Sequence, residues 1–152
     1  MAKFKFLLDN DVRHLKSVLP ARQTVQLEEV GLSGLSSDDE IVGVASVKNL
    51  LIVTNNRRDF QQEVVARIGE SRKGEYDCTQ VHGLVIVVPS SAIIQERVLA
   101  SAANNLIFEG KRIGWKNVFE QCLKVVIEAS GPPKITRLPR CQWCKFEYAK
   151  AS

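Results

Sequence analysis

Residues 50–59, LLIVTNNRRD, run from four consecutive apolar residues straight into a polar turn. An unbroken apolar run, rather than a strict alternation, marks a strand buried on both faces, as in a parallel sheet. The same pattern recurs on either side. Upstream, KFKFLLDND (3–11) places Phe4, Phe6 and Leu8 in alternation and ends at Asp9-Asn10-Asp11. Downstream, LVIVV (84–88) is stopped by Pro89, and TVQL (24–27) is a shorter strand candidate. Between them lie helical spacings. Val12, Leu15, Val18 and Leu19 precede the helix-stopping Pro20. Ser36 or Ser37 can cap a helix with Asp38, Asp39 and Glu40 in its first turn, followed by Ile41, Val44, Ala45 and Val47.

Further helices are predicted over 60–68, 91–108 and 115–129, the last with Val118, Cys122, Val125 and Val126 on one side. Gly131-Pro132-Pro133 ends helical structure, and the segment that follows has enough apolar surface to pack as a strand or arm. Strands alternating with helices predict an α/β domain with a mainly parallel sheet of four or five strands. In such sheets the functional crevice lies beyond the carboxyl ends of the strands. The polar residues of the N-terminal half gather there.

Composition bounds the class. The chain has 152 residues, 45% hydrophobic and 25% charged, which is one globular domain and excludes collagen-like, disordered and coiled-coil classes. Its longest apolar run, five residues, falls far short of the ~20 that a membrane-spanning helix needs. The N-terminus reaches Asp9 too soon for a signal peptide, so a cytoplasmic location without membrane association and with reduced cysteines is expected. The formal charge of +4 is uneven. Residues 1–60 hold eight bases against eight acids, and the excess lies in 61–152, with thirteen against nine. From residue 133 onward there are five bases and one acid, which suits a phosphate backbone, an acidic partner, or simply a solubilising terminus.

Asp9, Asp11, Asp38, Asp39 and Asp59, with Asn55 and Asn56, are hard oxygen donors. Carboxylates that converge in one crevice are stable together when protons or a divalent cation neutralise them. The same residues at helix starts and in turns also serve as ordinary caps, and spacing alone leaves both readings open.

The stretch 4–60, FKFLLDNDVRHLKSVLP … GLSGLSSDDEIVGVASVKNLLIVTNNRRDF, together with HGLVIVV (82–88), resembles the PIN-like proteins. These are short relatives of the PIN-domain ribonucleases of prokaryotic toxin–antitoxin modules. The family opens with a strand and an "LLDEN" turn, continues through a G-L-x-G-x-S/T-D-E-E-I segment into a helix, and then has a strand and a "VTRDxDF" loop. The resemblance implies a three-layer PIN-like fold with a mainly parallel central sheet, here with two extra C-terminal helices and a basic C-terminal arm. The domain would span 1–131 and the arm 132–152.

It also implies a divalent-metal-dependent endoribonuclease that hydrolyses RNA phosphodiester bonds, the toxin of a toxin–antitoxin module, with Asp9, Asp38 and Asp59 as catalytic ligands of Mg²⁺ or Mn²⁺. Asp11, Asp39 and Asn56 would be auxiliary metal groups, with Glu40 a further acid beside them. Arg57, Arg58, Lys134, Arg137 and Arg140 would bind RNA. A cognate antitoxin and a homodimer are the implied partners. Two departures stand out: Asn56 replaces an Asp of many members, and Asp11 takes the place of the Asn. The alternative is therefore a catalytically degenerate PIN-like module that binds nucleic acid or protein.

Other motifs give less. Cys141-Gln-Trp-Cys144 is half of a tetrahedral zinc site without a second pair, and plain reduced thiols account for it as well. His14 and His82 read as boundary residues, and Trp115 and Trp143 as indoles packed against the sheet rather than stacked on bases. A receiver-domain reading lacks the Asp at the end of the third strand, where Thr54 stands. No Gly-rich phosphate loop is present.

Overall fold

A computed structural model describes residues 4–55, 83–108, 113–120 and 123–137, without the side chains of residues 39, 104–108 and 137. The strands are β1 (Lys5–Leu8), β2 (Thr24–Val25), β3 (Leu50–Thr54), β4 (Leu84–Val87), β5 (Leu123–Ile127) and β6 (Lys134–Arg137). The α-helices are α1 (Asp38–Lys48), α2 (Ala92–Phe108) and α3 (Trp115–Glu120). One sheet joins all six strands in the order β2-β1-β3-β4-β5-β6, parallel except for the antiparallel β6. The helices expected over 60–68 and the loop at 56–59 lie outside the described residues.

Both faces of the sheet are covered, which explains the continuous apolar runs. Leu7, Ile52, Leu84, Ile86 and Val126 face Ile41, Val42 and Ala45 of α1. Their chain neighbours Leu8, Leu51, Val53, Val85, Val125 and Ile127 face the opposite layer, formed by Val12 and Leu15, by Val98, Leu99 and Ala102 of α2, and by Val118 and Phe119 of α3. Every residue of β3 is buried. Trp115 meets Phe6 edge-on with ring centroids 5.5 Å apart, so its indole is packed against the sheet as expected.

Three local outcomes differ from the sequence expectation. Residues 10–17 form a 3₁₀ segment rather than an α-helix, broken at Val12, whose φ of −126° and ψ of 23° are not helical. The strand expected over 24–27 stops after Val25, and Leu27 opens a further 3₁₀ turn. The helix expected over 115–129 stops at Glu120, and Leu123–Ile127 is β5 instead. There the β-branched run Val125–Val126–Ile127 pairs with β4, and Val125 and Val126 also pair with β6, satisfying a row of β4 backbone groups that a helix would leave open. Segment 134–137, expected as part of the arm, is the antiparallel edge of the sheet. Among the described residues no helix is long and apolar enough to cross a membrane.

Local chemistry explains the joints. α1 ends at Asn49, in the left-handed region (φ 58°), and β3 begins at the next residue. Gly83 enters β4 where a Cβ would lie 2.5 Å from the Val118 carbonyl and 2.9 Å from that of Leu123. Both obstacles are backbone. Gly83→Ala is therefore expected to lose about 2–4 kcal/mol of stability, lowering the melting midpoint by about 4–16 °C. A variant melting with the wild type would show that the α3–β5 connection is not seated on Gly83.

Candidate active site at the carboxyl ends of the central strands

The chain runs from β1 outward to β2, then returns past β1 to β3. The gap between β1 and β3 is the point where strand order reverses, and ligands of open parallel sheets bind in the crevice outside it. The register pairs Leu8 with Val53. The next residue on each strand is polar, so Asp9 and Thr54 meet across the gap. The Thr54 hydroxyl, fully buried, donates to Asp9 Oδ2 at 2.9 Å. The backbone N–H of Asn10 donates to Asp9 Oδ1 at 2.8 Å, capping the 3₁₀ segment. Each carboxylate oxygen thus has one protein donor and retains acceptor capacity.

Asp9 is only 7% exposed and is the one buried carboxylate among the described residues. Burial raises its pKa above the ordinary carboxylate value. The hydrogen bonds from Thr54 and Asn10 work against that rise, the negative charge of Asp11 adds to it, and the cation of Arg13 opposes it. The Arg13 guanidinium is already held. Its Nε donates to Asn10 Oδ1 at 2.8 Å, and its Nη2 lies 2.6 Å from Glu28 Oε1.

The crevice floor extends to β4. Asn55 Nδ2 lies 2.7 Å from the Val87 carbonyl oxygen and 3.1 Å from those of Val88 and Pro89. Gln95 Nε2 also donates to Pro89 O. Asn55, a candidate oxygen donor from the sequence, therefore uses its amide nitrogen to pin the end of β4. The 31–37 loop closes the other side: at Gly34 a Cβ would lie 2.9 Å from Asn10 Oδ1, so the loop crosses directly over the neighbour of Asp9.

Asp38 starts α1 four residues further on and is half-buried. Glu40 belongs to the cap: Ser37 N donates to its Oε1 at 3.0 Å, and Glu40 N donates back to Ser37 Oγ at 3.2 Å. The bonds that the Ser37 N–H and hydroxyl donate to its carboxylate lower the Glu40 pKa. Asp11 is exposed in the first turn of the 3₁₀ segment. Lys134 is exposed on β6 and pairs with Glu128 at 3.0 Å.

Asp39 and Arg137 are placed by their backbones, in α1 and β6. Asp59, Asn56, Arg57, Arg58 and Arg140 lie outside the described residues, as do His82 and all four cysteines. His14 is half-buried, with its Nε2 unpartnered. Among the described residues no three His, Cys, Asp or Glu side chains form a set that could hold a metal ion. Of the expected carboxylates whose side chains are described, Asp9 alone is buried at the crevice. The roles of Thr54 and Arg13 emerge only from the fold, since register and a 3₁₀ turn bring them to Asp9.

No family model matches the chain, and comparisons with curated proteins and with solved structures return no match.

The raised pKa fixes a sign. Asp9 holds its proton more tightly folded than unfolded, so stability falls as pH rises through the unfolded value and then the folded one. In EDTA, the wild-type melting midpoint is expected to lose ground to that of Asp9→Asn as pH rises from 4 to 7, read by paired thermal melts. A constant difference would remove burial as the dominant influence on Asp9. Thr54→Val, which deletes a buried donor, is expected to lose about 1–3 kcal/mol at pH 7 by chemical denaturation.

Proposed function

We propose that this protein is a divalent-metal-dependent endoribonuclease of the PIN-like type. The observation that carries the reading is the buried Asp9 carboxylate at the strand-order reversal, held by Thr54 and by the Asn10 N–H. The donor chemistry fits Mg²⁺ or Mn²⁺: hard carboxylate oxygens, with a negative charge in a place where water solvates it poorly. Asp9, Asp38 and Asp59 would hold the ion, with Asp11, Asp39 and Asn56 beside them. When bound, such an ion supplies a more acidic water and neutralises charge on the scissile phosphate.

The chain's own residues do the rest. Thr54 and the Asn10 N–H fix the rotamer of Asp9, so its oxygens face the crevice without reorganisation when RNA arrives. Arg57, Arg58, Lys134, Arg137 and Arg140 would neutralise the RNA backbone. The toxin setting, an antitoxin partner, a homodimer and a cytoplasmic location belong to this reading and rest on the likeness of 4–60 and 82–88 to PIN-like proteins.

A second reading has its own support. Because Asp9 is the one buried carboxylate among the described residues, a degenerate module that binds RNA or protein without cleaving would keep the same geometry.

Cleavage of a labelled single-stranded RNA pool separates them. Wild type is expected to cleave with Mn²⁺ or Mg²⁺ and not in EDTA. Asp9→Asn and Asp59→Asn, folded by circular dichroism, are expected to lose at least about a hundredfold in rate. An Asp9→Asn protein as active as wild type sinks the site assignment. A folded wild type that neither cleaves nor gains thermal stability from Mn²⁺ favours the degenerate module.

A further inference from the structure

We propose a nucleotide-binding subsite in a hollow of about 250 Å³ between α2 and the β5–β6 turn. It opens at the carboxyl end of β5, on the same edge of the sheet as Asp9. β1, β3, β4 and β5 are parallel neighbours, so the two places are three strand spacings apart. At ~4.8 Å each, that is roughly 14 Å, a span that a short stretch of single strand bridges.

The walls divide by chemistry. Ala102 and Ile127, both buried, give an apolar base able to accept a planar ring. Arg97 and Ser101, one turn apart on the exposed side of α2, and Ser130 across from them offer a cation and two hydroxyls. Arg97 has no carboxylate partner among the described residues. The acid in the wall, Glu128, is neutralised by Lys134 at 3.0 Å. A hollow with an apolar base, a net positive rim and hydroxyl donors fits an anionic phosphate attached to a flat, weakly polar ring. That chemistry is a nucleotide.

The inference deepens the nuclease reading, because a strand seated here would pass across the ends of β4 and β3 toward Asp9. It is tested by binding, so the two fail separately. Fluorescence anisotropy of a labelled hexauridylate is measured with the wild-type protein in EDTA, folding being checked by circular dichroism.

Arg97→Ala is expected to weaken binding about tenfold and to reduce the slope of log affinity against log salt by about 0.7. Arg97→Lys is expected to restore most of the affinity, and Ser101→Phe, which fills the hollow from an exposed position, to abolish the effect of Arg97→Ala. Uridine monophosphate is expected to compete at far lower concentration than inorganic phosphate. Equal competition would make this a plain anion hold and overturn the assignment. So would Arg97→Ala and Ser101→Phe variants that bind like wild type, or a folded wild type that binds no hexauridylate. If binding follows the prediction while wild type fails to cleave in Mn²⁺, the subsite stands and the nuclease reading falls.

Discussion

The hydrogen bond from Thr54 to Asp9 joins the ends of the two central strands, and much of the candidate site is arranged around it. It exists because β1 and β3 are paired in register through Leu8 and Val53, so the first polar residue after each apolar run lands opposite the other. A slip of one residue would turn each side chain into the opposite apolar layer, where it does not fit its neighbours, and would set a polar turn residue against an apolar one. The two apolar layers therefore hold the register, and the register places the carboxylate. Its polar support is local: the Asn10 N–H comes from the turn that the 3₁₀ segment begins, and Asn10 in turn anchors Arg13 and underlies the Gly34 loop.

From there the constraint passes along the sheet. Asn55 follows Thr54 and ties three successive carbonyls of the β4 exit, while Gln95 reaches the last of them from the first turns of α2. Val88 N donates to Ile127 O, which carries the same edge to β5. The crevice rim is thus a band of side-chain and backbone hydrogen bonds laid over the apolar centre of the sheet. Such a rim resists loosening, because Asp9 and the Pro89 carbonyl each keep two donors and the Val87 carbonyl is held by Asn55.

How much of this was legible follows from the periodicities. The runs at 50–53 and 84–87 read correctly because strands buried on both faces need continuous apolar sequence, β1 read correctly from the alternation of Phe4, Phe6 and Leu8, and α1 from its cap. β5 did not. Its LKVVI is as compatible with the face of a longer helix as with a strand, and only the open edge of β4 decides between them. The 3₁₀ form of 10–17 was hidden for a similar reason, since apolar residues at 12, 15 and 18 suit a three-residue period as well as a 3.6-residue one. At the site, the position of Asp9 beyond β1 followed from the strand-end rule, whereas Glu40, read as a further acid beside the expected ligands, belongs to the cap. A carboxylate at a helix start satisfies both descriptions until its hydrogen bonds are seen.

What distinguishes Asp9 from those caps is the opposition between its surroundings and its charge. Burial and Asp11 both disfavour ionisation. Among the described residues, the cation that opposes them, Arg13, is shared with Glu28 and Asn10. A structural role would be met more cheaply by an asparagine or a serine, either of which can cap the 3₁₀ segment without burying a charge. A carboxylate buried at the strand-order reversal is a costly choice for a position that only packs, and the proposed cation would offset that cost. The same reasoning separates it from Asp11 and Asp38, which are less deeply buried and bear less of that cost. The weight of the functional reading therefore rests on Asp9, and on whether the charge that answers it is supplied by a metal.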